Sequence, residues 1–299
     1  MILILSIILC FGNGIFWTIF SYLKGIHWAL SLLIGVGAFV VMLALYCLFL
    51  IIYVIIVGYV LQNTNNPNGT YRNKLIRDIS HFCLFWANIH YHVKGLEKIP
   101  QDQNYVIVAN HQSLFDVLIL FALIKEPYSM VFKDSFLKNR LIGPMAKSLG
   151  GLPIYRENNY KTAEIIVQVI RNVKKGQSLL IFPEGKRSKG PHMRSFRAGA
   201  FKIPLKAKVP VVAIAHDGSY RSRFRLPFLP THVYLNVVDV ISPEQFENLT
   251  SQELSHHVHS LIENDIIEAR KVHKYLKIPR FYRPNRHKDD PTNNDESLL

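Results

Sequence analysis

Residues 1–23 carry no charged side chain, and after Lys24 a second uncharged run extends from Gly25 to Tyr71. Within it, Trp28 to Leu61 is apolar almost throughout. About 20 apolar residues suffice to cross a bilayer. The run exceeds one crossing, so its excess must tilt, extend beyond the bilayer or pack on protein. The pattern predicts two membrane helices, residues 1–22 and 28–60, hinged at Lys24-Gly25. The same residues also admit one true span, with the other segment lying in the interface or packed on the domain. Asn63 to Thr70 (NTNNPNGT) is a polar, turn-rich linker.

Beyond the linker the period changes. Short β-branched runs at Tyr105–Ala109, Ser178–Phe182, Val209–Ala215 and His232–Val240 predict strands. Helical spacing separates them, as in Lys161–Lys175, where Ile165, Ile166, Val169, Ile170 and Val173 share one face. Glu244 to Lys277 reads as one or two helices. Strands alternating with helices predict an α/β domain, a mostly parallel sheet flanked by helices, preceded by the N-terminal membrane helices. Arg283 to Leu299 is polar and rich in Pro and Asn, a composition that predicts a disordered tail. The chain thus divides into an anchor (1–62), a folded domain (63–282) and a tail (283–299), with no internal repeat.

Charge narrows the partners. The 299 residues include 35 Lys and Arg against 21 Asp and Glu, a net charge of +14. That excess favours phosphate-bearing substrates, anionic lipid surfaces or nucleic acid. Arg72, Lys74 and Arg77 follow the second apolar segment, against Lys24 alone in the intervening turn, so the positive-inside bias places the rest of the chain in the cytoplasm. With no basic residue before the first apolar run, a cleaved signal peptide fits poorly. The three cysteines, Cys10, Cys47 and Cys83, form no CxxC pair, which argues against a disulfide framework or a zinc site.

Two segments carry candidate chemistry. Asn110-His111-Gln112-Ser113-Leu114-Phe115-Asp116 joins the strand YVIVA to the helical run VLILFALI. This sets His111 at a strand end and Asp116 in a first helical turn. A carboxylate beside an imidazole fixes its tautomer and strengthens it as a base. Ser113 and Asp116 also match a capping box, with Ser113 as cap and Asp116 at the third helical position, and the two roles are compatible. Phe182 to Ser188 (FPEGKRS) follows a second strand and offers two cations, a glycine and a hydroxyl. It reads either as a phosphate site or as a solvated basic turn. It is not a Walker loop, because Leu180 stands where that motif requires Gly. His256, His257 and His259 lack an acidic or Cys partner at metal-site spacing, and His216-Asp217 ends the strand Val209–Ala215 and reads as a turn with Gly218, a cleft-lining role remaining open. No G-x-S-x-G nucleophile elbow occurs.

Together these segments resemble the glycerolipid acyltransferase family, which contains the 1-acylglycerol-3-phosphate acyltransferases. Asn110, His111 and Asp116 match its N-H-x-x-x-x-D motif, Gly150 to Arg156 (GGLPIYR) its second motif, Phe182 to Ser188 its F-P-E-G-x-R-S motif, and Val209 to Ile214 (VPVVAI) its fourth. All four stand in the family's order between residues 90 and 240. Tyr155 replaces a frequent acidic residue and Lys186 a frequent threonine.

The resemblance implies an O-acyltransferase that moves a fatty acyl group from acyl-CoA or acyl-carrier protein to the free hydroxyl of 1-acylglycerol 3-phosphate. His111 would be the base and Asp116 its support. Arg156 and Arg187 would hold the acceptor phosphate with Lys133, and Glu184 and Gly185 would shape the pocket. No metal or other cofactor is implied, since the thioester is already activated. Partners would be membrane lipids, a lysophosphatidate-type acceptor and the acyl carrier, not nucleic acid. Glycerol 3-phosphate, another lysophospholipid or a lipid-linked sugar would suit the same His and Asp. A non-catalytic, membrane-tethered module that binds anionic lipid is the alternative outside enzymology.

Overall fold

The computed structural model describes residues 2–62, 69–140, 142–155, 158–223 and 229–278. The chain falls into two compact units, Met1–Asn63 and Thr64–Leu299. Most of the polar linker, Arg156 and the tail expected at 283–299 lie outside the described residues.

The first unit is a helical hairpin of α1 (Ile2–Leu23) and α2 (Trp28–Gln62). Small residues let the two backbones approach. A Cβ added at Gly35 would lie 1.8 Å from Thr18 Oγ1 and 2.6 Å from the Gly14 carbonyl, so any larger residue there would force the helices apart. Asn13 Nδ2 donates across the seam to the Ala38 carbonyl at 3.1 Å. Large apolar side chains such as Phe16, Leu33 and Phe49 point outward. Among the described residues one helix is long and apolar enough to cross a membrane, Trp28–Tyr53.

The second unit opens with α3 (Thr70–Trp86) and continues β1 (Ile89–Lys94), β2 (Val106–Ala109), α4 (Phe115–Leu123), β3 (Tyr128–Lys133), α5 (Ile142–Ser148), β4 (Leu152–Ile154), α6 (Asn159–Lys174), β5 (Ser178–Ile181), α7 (Ala198–Ala207), β6 (Val211–Asp217), β7 (Thr231–Ile241), α8 (Pro243–Phe246) and α9 (Ser251–Val272). The seven strands lie in the order β1-β7-β6-β2-β5-β3-β4. Every neighbouring pair is parallel except β6–β7. The sheet is therefore mostly parallel and flanked by helices. The four strands expected from β-branched runs are β2, β5, β6 and β7, whereas β1, β3 and β4 were not expected.

Both faces of the sheet are buried. Val106 and Val108 of β2 and Val211, Ala213 and Ala215 of β6 pack with residues of α6, α7 and α9. Ile107 and Ala109 of β2 and Val212 and Ile214 of β6 pack instead with α4. The alternation follows from the two-residue period of a strand. It decides the site, because the residues that follow β2 and end β6 inherit these faces. The antiparallel excursion into β7 carries a register shift opposite Ala213 and Ile214. Lys98 Nζ steadies it by donating to the Val237 and Val238 carbonyls at 3.1 and 3.0 Å.

Candidate active site

In a parallel sheet the carboxyl ends of the strands form one edge, where reactive groups collect. Here β2 ends into His111, β5 into Phe182 to Ser188, β3 at Lys133 and β4 just before Tyr155. The first and third motifs and the described part of the second thus meet at one edge of the sheet, whereas the fourth, Val209 to Ile214, enters β6 from the opposite edge.

The turn after β2 is organised by one carboxylate oxygen. Asp116 Oδ2 accepts from the Gln112 and Ser113 backbone N–H groups at 2.6 and 2.8 Å. It also lies 3.0 Å from His111 Nδ1. This differs from the expected capping box. The helix begins at Phe115 with Leu114 as its cap, so Asp116 is its second residue. The Ser113 hydroxyl accepts only the Phe115 N–H, at 3.4 Å. The carboxylate reaches back to the turn, but the serine does not complete the reciprocal bond.

Burial divides the labour within this pair. The Asp116 side chain is 0% exposed and that of His111 is 15% exposed, so the acid is sealed while the imidazole reaches the surface. Burial pushes the Asp116 carboxyl up, but the His111 bond, the attraction of the His111 imidazole and the Ser113 N–H outweigh it and hold the group below its usual value. An ionised Asp116 accepting from Nδ1–H leaves Nε2 as the imidazole's basic nitrogen. The His111 ring stacks on Phe182, with centroids 4.1 Å apart and planes 21° apart.

Glu184 does not face outward. It is buried, and its two oxygens accept the His111 N–H at 2.7 Å and the Arg194 N–H at 3.2 Å. Burial raises its pKa to about 8 against the pull of those bonds. Ser188 N–H donates to the His111 carbonyl at 2.7 Å. The FPEGKRS segment is therefore tied to both backbone polar groups of His111. Gly185 has φ +67, and a Cβ there would sit 3.0 Å from Arg197 Nε, so the turn requires glycine. Lys186 and Arg187 are exposed on it, and Lys133 is exposed at the end of the neighbouring strand β3.

Further residues support the site from within: Asn110 and His216-Asp217 stood out in the sequence without a stated partner, whereas the roles of Gln112 and Arg270 did not show there. Asn110 is fully buried and pairs with the His216 backbone, Nδ2 to O at 2.9 Å and Oδ1 from N at 2.8 Å. Gln112 donates to Asp217 Oδ1 at 3.0 Å and accepts the Gly218 N–H at 3.0 Å. Asp217 in turn is held by Arg270 of α9. β6 runs through Asp217, and both His216 and Asp217 are buried, so the pair ends the fourth-motif strand and the turn itself begins one residue later. The turn starts at Gly218, where φ is +100 and a Cβ would meet the His232 carbonyl at 2.5 Å. Among the described residues no group of three or more His, Cys, Asp or Glu side chains is placed to hold a metal ion.

A buried Asp that orients a surface His at the carboxyl edge of a parallel sheet, beside a basic loop, defines a base-catalysed transferase or hydrolase class of site. The comparisons resolve which. Residues 90–217 match the family described as Acyltransferase. The 1-acyl-sn-glycerol-3-phosphate acyltransferase of Escherichia coli is 30% identical over 172 residues, covering 56% of this chain and 69% of the relative. A chloroplastic 1-acyl-sn-glycerol-3-phosphate acyltransferase of Brassica napus is 33% identical over 172 residues, 55% of this chain and 50% of the relative. The crystal structure of the 1-acyl-sn-glycerophosphate (LPA) acyltransferase PlsC from Thermotoga maritima superposes with a TM-score of 0.59 at 26% identity, covering 66% of this chain and 79% of that one. The chain belongs to the glycerolipid acyltransferase family. It spans about half the length of the plant relatives it matches.

Proposed function

We propose that the protein transfers a fatty acyl group from a thioester carrier, acyl-CoA or acyl-carrier protein, to the free hydroxyl of 1-acylglycerol 3-phosphate, giving phosphatidic acid. The observation that carries the reading is the 3.0 Å contact between His111 Nδ1 and the sealed Asp116 carboxylate. His111 Nε2 takes the hydroxyl proton as the acceptor oxygen attacks the thioester carbonyl. The tetrahedral intermediate collapses with cleavage of the C–S bond, and the departing thiolate takes the proton back from His111. No acyl-enzyme forms. Asp116 stabilises the transient imidazolium. Arg187, Lys133 and Arg156 supply positive charge for the acceptor phosphate.

The α1–α2 hairpin anchors the protein in the membrane that supplies the acceptor. Its outward apolar side chains and the uncharged span of α2 support that placement, and the basic residues after α2 support a cytoplasmic catalytic domain.

The test is phosphatidate formation by purified protein in detergent, given lysophosphatidate and each donor in turn. Wild type turns over, and His111→Ala retains its fold with turnover lowered about 10²–10⁴-fold. Wild-type protein that makes no product from this acceptor, yet acylates glycerol 3-phosphate or another lysophospholipid, would reassign the acceptor while keeping the chemistry. Near-normal turnover in His111→Ala would remove the mechanism.

A further inference from the structure

Asp116 is engaged on one side only. Its Oδ2 takes three contacts, while among the described residues its buried Oδ1 has no hydrogen-bond partner. Both ring nitrogens of the fully buried His216 also lack partners among the described residues. We propose that His216 is a positioning residue for the His111–Asp116 pair, one ordered water joining its ring N–H to Asp116 Oδ1. The inference rests on the acyl-transfer reading of the site.

Strand parity puts the three groups together. Val212 and Ile214 of β6 and Ile107 and Ala109 of β2 face α4; His216 and His111 continue those two rows, each one step of two residues further on. Asp116 enters the same space from the first turn of α4. Asn110 pins the His216 backbone at both its N–H and its carbonyl, so the ring cannot leave by a shift of the strand. A group that only filled space here would be better apolar, because a buried polar atom without a partner is costly. Asp116 Oδ1 has open lone pairs, and a neutral imidazole has one N–H to give. One water bonded to both would satisfy the two orphans in a single step.

Burial keeps the ring neutral, with a pKa of about 4. The groups of α4 and of the turn after β2 that act on it are the Asp116 carboxylate and the His111 ring. Neutrality suits the role. A neutral donor holds the carboxylate in place, whereas a second cation would oppose the imidazolium that His111 must become.

Glutamine and methionine have nearly the same size and differ in having a donor. The full-length chain carrying His216→Gln or His216→Met, in detergent, is assayed for kcat, for KM toward both substrates and for Tm, beside wild type and His111→Ala. The expected result for the Met variant is a kcat about tenfold lower with both KM values unchanged, the scale of one lost bond to a charged group. The Gln variant should stay within about threefold of wild type on the same scale. Should the Met variant fail to fold, His216→Asn and His216→Leu make a second pair matched in size. Equal turnover per folded molecule within either pair, at any level, overturns the role of His216. If wild type itself turns over no acceptor, the acyl-transfer reading fails and takes this inference with it; wild-type turnover with matched Gln and Met variants removes His216 alone.

Discussion

Arg270 grips Asp217 with two bonds, Nε to Oδ2 at 2.7 Å and Nη2 to Oδ1 at 2.9 Å. Asp217 Oδ1 then accepts from Gln112 Nε2, and the Gln112 N–H is held by the carboxylate that orients His111. A continuous chain of hydrogen bonds thus links the last turns of α9 to the proposed base. Asp217 is 1% exposed and Arg270 18%, so removing one partner strands a buried charge. Arg270→Met should cost about 3 kcal/mol, the lower end for a broken buried pair because Arg270 retains some water contact. Adding Asp217→Asn should recover much of that, since an amide oxygen can still accept from Gln112 and Gly218 without a charge to bury. Denaturant melts of the single and double variants check this. A double variant no more stable than Arg270→Met alone would show that the pair's charge is not what the fold requires.

The chemistry was more legible in the sequence than its support. His111 and Asp116 could be paired because only four residues separate them across a strand–helix junction, a local relationship. Strands β2, β5, β6 and β7 announced themselves through β-branched runs that both faces of the sheet bury. β1 did not, because its IHYHVK sequence sits at the sheet edge with alternate residues exposed, and β4 has only three residues. Arg270 was invisible for a different reason. Its partner lies 53 residues away, and nothing within a helix period marks one arginine of α9 above another. Glu184 was legible as a motif residue but not in its orientation, since burial of a carboxylate depends on the two backbone N–H groups that meet it.

Asp116 and Ser113 separate catalysis from local stability. If Asp116 only secures the turn, Asp116→Asn should lose stability and activity together, because its amide oxygen must replace an ionic acceptor. If it supports an imidazolium, activity should fall about 10²–10⁴-fold while Tm moves little, by analogy with loss of the orienting carboxylate in Ser-His-Asp enzymes. Ser113→Ala should be the milder change in both, at most about 0.5–1 kcal/mol, given the long 3.4 Å bond of its hydroxyl. Tm and turnover of both variants in one detergent give the answer.

His216 predicts an acid-sensitive fold. Burial lowers its pKa from 6.5 to about 4, so between those values the unfolded chain binds the proton and the folded protein does not. Stability from this group is complete above pH 6.5 and is lost as pH falls toward 4. The loss reaches about 3 kcal/mol if the full shift is realised. Asp116 and His111 face the same ring and pull its proton affinity in opposite directions. His216→Gln cannot titrate, so its Tm should fall less steeply than wild type over that range. Parallel Tm–pH curves for the two proteins would count against a neutral buried ring.

Arg187 should act on the acceptor. It is exposed on the loop whose Ser188 N–H binds the His111 carbonyl, so its charge is carried at the surface by the segment that holds the base. Arg187→Ala should therefore raise the acceptor KM about tenfold or more, the scale of a lost charge-assisted contact, with Tm and donor KM nearly unchanged. Arg187→Lys should restore only part, as a point charge cannot reproduce a planar fork. A variant that loses donor affinity and keeps acceptor affinity would reassign this cation to the acyl carrier.

The hairpin gives a topology that labelling can read. At 1.5 Å per residue, α2 is about 50 Å long against a hydrocarbon core of about 30 Å. One crossing therefore leaves part of it outside the apolar slab or strongly tilted. α1 folds back along α2 through the Gly14–Gly35 contact, so a crossing α2 draws α1 across with it and returns the N-terminus to the side of the folded domain. In the proposed orientation, which rests on Arg72, Lys74 and Arg77 against the single Lys24, that side is the cytoplasm. Single cysteines at Lys94 and at residue 2, in a chain whose Cys10, Cys47 and Cys83 are replaced by serine or alanine, should both resist an impermeant thiol reagent added outside intact cells. A cysteine at Gly25, in the hairpin turn, should react. Shielding at Gly25 together with shielding at Lys94 would place the hairpin tip short of the outer surface, and labelling at Lys94 would reverse the orientation altogether.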